Sequence, residues 1–289
     1  MSSRARAKPV LNNIPSNRIS IETSKQLVTV RMRGGLGNRF FQTMVGLGYA
    51  ERTGREFVFY EDNMKHNAHT DYVKTTEILL AFFPKVKVYR GQMRWTNYSD
   101  IAGGVYTYTE IPDLSGSVCL SGYYQRFEYF PREARANFVI PKPSSTSFDT
   151  APIDFNHTYF IHFRRGDYVN SNYDLGFTEY YTAAIKKIRD ADPAAFFLVF
   201  SDQTKKVNLS PYALGGLHSV VPERIEAWET LWLMSRCRGA VCANSTFSWF
   251  GAFAIRGPGP IHMPAHWIKD VAGFTGDACL IAEFKDLFP

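Results

Sequence analysis

VRMRGGLGNRFFQ, residues 30–42, joins three patterns that belong together in one kind of fold. Leu27 to Met32 is rich in β-forming residues, Gly34-Gly35-Leu36-Gly37-Asn38 is a glycine-rich turn, and Arg39 to Thr53 reads as a helix that stops at Gly54. Strand, tight turn and helix in that order make a βα unit. Its turn faces the free amides and positive dipole end of the helix, which is a device for holding anions. Two familiar versions are excluded: no Gly-Lys-Ser/Thr closes the turn, and Phe40 stands where a dinucleotide fingerprint needs its third glycine. An anion-holding turn and a plain βα turn both remain. Asn38 is the informative residue, because its amide both donates and accepts at the first turn of a helix.

Working outward, the same alternation continues along the chain. Glu56 to Tyr60 and Lys85 to Tyr89 read as strands, Thr76 to Phe83 as a helix, Arg90 to Asp113 as irregular chain and Ser117 to Ser121 as a strand. Pro, Ser, Thr and Asp then dominate residues 141–157, which sets a domain boundary there. A second series follows. Strands are expected at Tyr159 to Phe163, Phe196 to Phe200 and Ala240 to Ala243. Helices are expected from Thr178 to Ala191, from Pro222 to Arg238, and from a cap at Asn244 or Ser245 through Arg256. Alternating strands and helices predict an α/β protein with largely parallel sheets. The expected divisions are a mobile tail over residues 1–26, a first domain over 27–150 and a second over 151–289.

Composition agrees with a folded protein. Of the 289 residues 45% are apolar and 21% charged, and Lys and Arg exceed Asp and Glu by 33 − 27 = 6. The small positive excess suits an anionic ligand, and no basic stripe with interleaved aromatics points to nucleic acid. Cys119, Cys237, Cys242 and Cys279 form no CxxC pair and have no neighbouring His at zinc-site spacing; Cys237 and Cys242 sit in apolar runs and are expected to be buried thiols, and a reducing compartment is the simpler reading. The first residues lack the apolar run of an export signal, and no stretch of 18 apolar residues occurs. A cytoplasmic protein without a membrane span is the expectation.

Three further segments carry chemistry. FIHFRRGDYV, residues 160–169, places His162, Arg164, Arg165 and Asp167 at the carboxyl end of an apolar strand, where α/β sheets bind ligands. Adjacent guanidinium forks suit a pyrophosphate, and a surface ion pair with Asp167 is the alternative. In FSD, residues 200–202, Asp202 can accept from a base edge or a ribose hydroxyl, or cap the next segment. CANSTFSWFGAFA, residues 242–254, repeats the strand–turn–helix logic with Asn244, Ser245, Thr246 and Ser248, either as an anion site or as an ordinary cap. Trp249, Phe250 and Phe253 are expected in the core.

Taken in order, GGLGN with its Phe-Phe-Gln, SGYYQRFEYF (121–130), HFRRGDYV, FFLVFSD and ANSTFSWFGAF resemble the motifs of the α-1,2-fucosyltransferase family, the inverting GDP-fucose-dependent enzymes of family eleven. The resemblance spans about residues 28–267, and the five together are far more specific than any one. Arg39 stands where glutamine is usual, and Phe250 and Phe253 replace tryptophans. The resemblance implies a GT-B-like pair of Rossmann-type domains facing a cleft, acceptor on the first and GDP-fucose mainly on the second, with no metal or other cofactor. It places Gly35, Asn38, His162, Arg164, Arg165, Asp202, Asn244, Ser245, Thr246, Phe247 and Ser248 around GDP-fucose. Asn38, His162, Arg164, Arg165 and Asp167 are the catalytic candidates. Asp167 and His162, with Asp174 behind them, are the choices for a base. The implied product is fucose on a glycan, at the 2-hydroxyl of galactose. Transfer in another linkage (α-1,6 or protein O-linked) and non-catalytic binding are the alternatives. Arg39 is expected either to alter acceptor choice or to pair with Glu51 or Asp62.

Overall fold

A computed structural model of the protein describes residues 25–65, 72–100, 108–176 and 178–269. The chain divides into two compact units, and passes from the first to the second between Val139 and Ile140. The expected tail therefore lies outside the described residues apart from Lys25 and Gln26, and Cys279 also lies outside them.

The first unit runs β1 (Leu27–Val30), α1 (Leu36–Thr53), β2 (Glu56–Tyr60), α2 (Glu61–Lys65), α3 (Tyr72–Phe82), β3 (Lys87–Tyr89), β4 (Thr96–Asp100), β5 (Val118–Gly122) and α4 (Ala134–Asn137). Its five strands are all parallel, in the order β3-β2-β1-β5-β4. Every residue of β1 and β5 is buried, as fits strands covered on both faces. Helix α1 starts three residues earlier than the sequence suggested, taking in Leu36, Gly37 and Asn38. It ends at Gly54, which adopts φ 67° and donates its N–H to the last turn. Arg90 to Asp113 is not wholly irregular, because it contains β4. The sequence Thr-Asn-Tyr-Ser-Asp has no apolar alternation, and β4 is a half-exposed edge strand held by its ladder to β5.

The second unit runs β6 (Thr158–Phe163), α5 (Thr178–Ala191), β7 (Phe196–Ser201), β8 (His218–Val220), α6 (Ala227–Arg236), β9 (Gly239–Val241), α7 (Thr246–Ala254) and β10 (Ile261–His262). Its five strands are again parallel, ordered β10-β9-β6-β7-β8. Tyr159, Ile161 and Phe163 of β6 and Phe197 and Val199 of β7 share a core with Tyr181, Ala184, Ile185 and Ile188 of α5. The α5 residues fall on one helical face, and the strand residues alternate by two. Helix α6 is shorter than expected, since Pro222 to Glu226 forms a turn closed by Ile225 N–H on the Pro222 carbonyl.

Both units are thus parallel, Rossmann-type α/β structures, as the sequence predicts. In each the chain leaves a central strand to one side and later returns on the other. Crevices therefore open at the carboxyl ends of β1 and β5 and of β6 and β9, the switch points where α/β sheets hold ligands. Cys119, Cys237 and Cys242 are free and buried, and burial pushes the Cys242 thiol up to about 12. Among the described residues no helix is long and apolar enough to cross a membrane.

Candidate active site

The chain after β6 turns sharply through Arg164-Arg165-Gly166-Asp167, and carboxylates brace the turn from two sides. Nη2 of Arg164 donates to Oδ1 of Asp167 at 2.6 Å, and its Nη1 lies 2.9 Å from Oδ2 of Asp202. The same guanidinium lies over the Tyr168 ring, 5.3 Å from its centre. Parallel pairing of Phe163 with Ser201 brings Asp202 alongside, where its Oδ1 accepts the Arg165 backbone N–H at 2.8 Å. A Cβ on residue 166 would stand 2.4 Å from Asp202 Oδ2, so any residue larger than glycine there would displace the carboxylate.

Arg165 is held more loosely. Its Nη1 is 3.9 Å from Asp174 Oδ1, its side chain is 40% exposed, and its buried Nε has no hydrogen-bond partner among the described residues. Beside it opens a cavity of about 260 Å³, bounded in part by Phe163, Asp174, Lys206, Asn208 and Tyr212. The sequence reading named Asp174 but missed Lys206, which lies in a 3-10 turn (Thr204–Lys206) with no motif around it.

His162 points to the opposite face of β6 from Phe163 and is buried, its ring 6.0 Å from that of Phe247. Burial, reinforced by the Arg164 charge, lowers its pKa to about 4, so the imidazole is neutral at ordinary pH. Its Nδ1 has no partner among the described residues.

The residues at the start of α7 divide into two sets. Asn244 clips loops together and lines the cavity beside Arg165: its side-chain NH₂ donates to the carbonyls of Tyr173 (3.0 Å) and Trp267 (2.7 Å), and its backbone carbonyl accepts the Tyr168 hydroxyl. Ser248 is fully buried and accepts the Ala243 N–H at 3.1 Å. Ser245 occupies the cap position with extended backbone, but its side chain makes no capping bond. Thr246 and Phe247 are the partly exposed members. Trp249, Phe250 and Phe253 pack in the core, Trp249 stacked on Phe253 at 5.1 Å.

In the first unit the glycine turn is clamped by side chains. Gln42 accepts the Arg33 N–H at 2.9 Å and donates to the Gly122 carbonyl at 3.2 Å, joining the loops after β1 and β5. Gln125 donates to Asn38 Oδ1 at 2.9 Å. Arg39 is turned inward and buried, with Nε on the Gly34 carbonyl (3.1 Å) and Nη1 on the Thr75 hydroxyl (2.9 Å). Desolvation lowers its pKa from the ordinary arginine value. It supports the turn rather than presenting a charge to solvent. Gly35 is exposed beside this clamp. Among the described residues no group of three or more His, Cys, Asp or Glu side chains is placed to hold a metal.

The profile described as Glycosyl transferase family 11 matches residues 16–267. An α-1,2-colitosyltransferase of Escherichia coli is 25% identical over 263 residues, covering 78% of this chain and 87% of that protein. The O-antigen biosynthesis glycosyltransferase WbnK of E. coli is 33% identical over 104 residues, 34% of each chain. The crystal structure of the fucosyltransferase NodZ from Bradyrhizobium superposes with a TM-score of 0.51 at 14% identity, covering 81% of this chain and 93% of that one, and so shares its fold. With two parallel α/β units of GT-B type and a family match that runs through every motif quoted above, the chain belongs to glycosyl transferase family 11.

Proposed function

We propose that the protein moves L-fucose from GDP-β-L-fucose to a glycan hydroxyl with inversion, the acceptor being the 2-hydroxyl of a galactose. The single observation that carries this reading is the Arg164–Arg165 pair at the β6–β9 switch point, with Asp202 bracing its turn. Breaking the bond from the anomeric carbon to GDP builds negative charge on the β-phosphate, so fixed positive groups there lower the barrier most. Arg165, with its partly exposed fork and loosely held side chain, is the group that meets the diphosphate. Arg164, locked between two carboxylates, holds the turn and adds its charge. With two guanidinium groups in that role the reaction proceeds without a metal. Thr246 and Phe247 line the donor, and Asp202 and His162 lie at the guanosine end. Asn38 and Gly35 of the first unit serve the acceptor side. Of the candidate bases, His162 is buried and neutral, whereas Asp167, with 70% of its side chain exposed, can reach an acceptor hydroxyl.

A second reading is favoured by the α-1,2-colitosyltransferase relative: the transferred sugar is colitose in place of fucose. Incubation with GDP-fucose or GDP-colitose, each with and without a β-galactoside, separates the readings by GDP release. The account expects acceptor-dependent release from GDP-fucose. Release only from GDP-colitose selects the second reading. Binding of either donor without release in the presence of acceptor makes the protein a binder.

A further inference from the structure

We propose that Lys206 is a donor-binding residue, a third cation that meets the diphosphate in the cavity beside Arg165; the inference deepens the fucosyl-transfer reading above and rests on it. It starts from charge. Three carboxylates stand against the two guanidinium groups: Asp167 at 2.6 Å and Asp202 at 2.9 Å from Arg164, and Asp174 at 3.9 Å from Arg165. The formal sum over these five groups is 2 − 3 = −1. A nucleotide sugar brings two negative charges on its diphosphate, and cleavage leaves a third on the departing GDP. The arginine turn is thus already matched by its own acids, and a further positive charge is needed for the leaving group.

Lys206 is placed to supply it. β7 ends alongside β6, with Ser201 opposite Phe163, and the chain runs through Asp202 into the 3-10 turn Thr204–Lys206. The Lys206 N–H closes on the Gln203 carbonyl at 2.9 Å, and the Thr204 hydroxyl donates to Oε1 of Glu223 at 2.7 Å, so the turn is tied at both ends. Its two lysines then differ. Glu223 is held below the usual carboxylate range by the Thr204 hydroxyl and, to a smaller extent, by the Lys205 charge. Lys206 instead lines the cavity, and among the described residues its ammonium has no ion pair or hydrogen bond.

The cavity wall selects for an anion. Arg164, Arg165 and Lys206 all border it, whereas of the three carboxylates only Asp174 does, which gives 3 − 1 = +2 against the two charges of a diphosphate. Phe163 and Tyr212 supply an apolar side that strengthens the field. Its volume of about 260 Å³ is below the roughly 300–1,000 Å³ of a pocket for a whole drug-sized ligand, so it takes the charged middle of the donor. An ammonium on a flexible stem acts as a point charge and follows the phosphate oxygens as the bond breaks.

The test is calorimetric titration with GDP, and steady-state transfer from GDP-fucose to a β-galactoside, by wild type, Lys206→Met, Lys206→Arg and Lys205→Met at low and high ionic strength. Methionine keeps most of the stem and removes the charge. Lys206→Met is expected to raise the GDP Kd and to lower kcat/KM, each by about tenfold at low salt, with the difference from wild type narrowing at high salt. Lys206→Arg is expected to keep most of both, and Lys205→Met to match wild type. Melting temperatures without ligand should be unchanged, since the side chain is exposed. Wild-type GDP binding by Lys206→Met, or an equal loss in Lys205→Met, would overturn the proposal. A wild-type protein that neither binds GDP nor turns over GDP-fucose overturns the parent reading, and this inference falls with it. An active wild type with an indifferent Lys206→Met overturns this inference alone.

Discussion

Arg164 and Arg165 are adjacent in the chain but differ in what their loss would do. Removing the Arg164 fork strands Asp167 and Asp202, each within 3 Å of it, so Arg164→Ala disturbs the turn as well as the charge. Among the described residues the Arg165 guanidinium makes a long contact to Asp174, and the Arg165 bond to Asp202 comes from its backbone N–H, so Arg165→Ala is the cleaner probe. It should lower turnover by at least about 100-fold with the protein still folded, as expected for losing a main stabiliser of the leaving group. GDP release and circular dichroism check the two halves of that statement. His162 supplies a second residue-scale prediction. Its pKa is about 4 when folded against 6.5 for a free histidine, so the unfolded chain binds more protons between those values. Stability is therefore full above about pH 6.5 and falls as pH drops toward 4, by at most about 3 kcal/mol from this residue. His262 is buried and lowered to about 4 as well, and contributes with the same sign. Thermal melts across that range should show the fall, and His162→Asn should shrink it.

At the scale of elements, two glycines set how closely the parts approach. A Cβ on Gly166 would collide with Asp202 Oδ2 at 2.4 Å, so Gly166→Ala should push the carboxylate off both arginines. Activity should fall by about tenfold or more while melting temperature changes less, because the damage is to site geometry. Gly48 of α1 is different: its Cβ would stand 2.1 Å from the backbone carbonyl of Tyr129, which cannot swing away. Gly48→Ala should cost about 1–3 kcal/mol of stability, read by denaturant titration. How far the elements were legible follows from the same local physics. The end of α1 was visible because Gly54 is the residue that takes the left-handed cap. Apolar runs marked β1, β6 and β7. β4 was not visible, since a polar edge strand is defined by its partner and not by its own pattern. The start of α6 was overrun because an apolar stripe does not reveal that Pro222 begins a turn.

At the scale of the whole molecule, the sequence showed two parallel α/β units because strand, turn and helix signals recur in order along both halves. It also placed the arginine pair and Asp202 at strand ends, which the parallel pairing of β6 and β7 brings together. It did not show the hydrogen bonds that Asn244 and Ser248 make within the fold, because a polar residue at a helix start looks the same whether it faces a ligand or clips a loop; Asn244 also lines the cavity beside Arg165. Nor did it show Gln125 against Asn38, a pair 87 residues apart joined only by sheet order. Charge stabilisation by guanidinium groups gives one global expectation: transfer should persist in excess EDTA, and loss of activity restored by manganese or magnesium would contradict it. The central claim, inverting transfer of fucose to a galactose 2-hydroxyl, is tested most directly by NMR of the product formed from GDP-β-L-fucose and a β-galactoside. The account predicts a single α-fucosyl residue on the 2-position of galactose; a β-fucoside, or fucose found only on position 6 or on a protein hydroxyl, would contradict it.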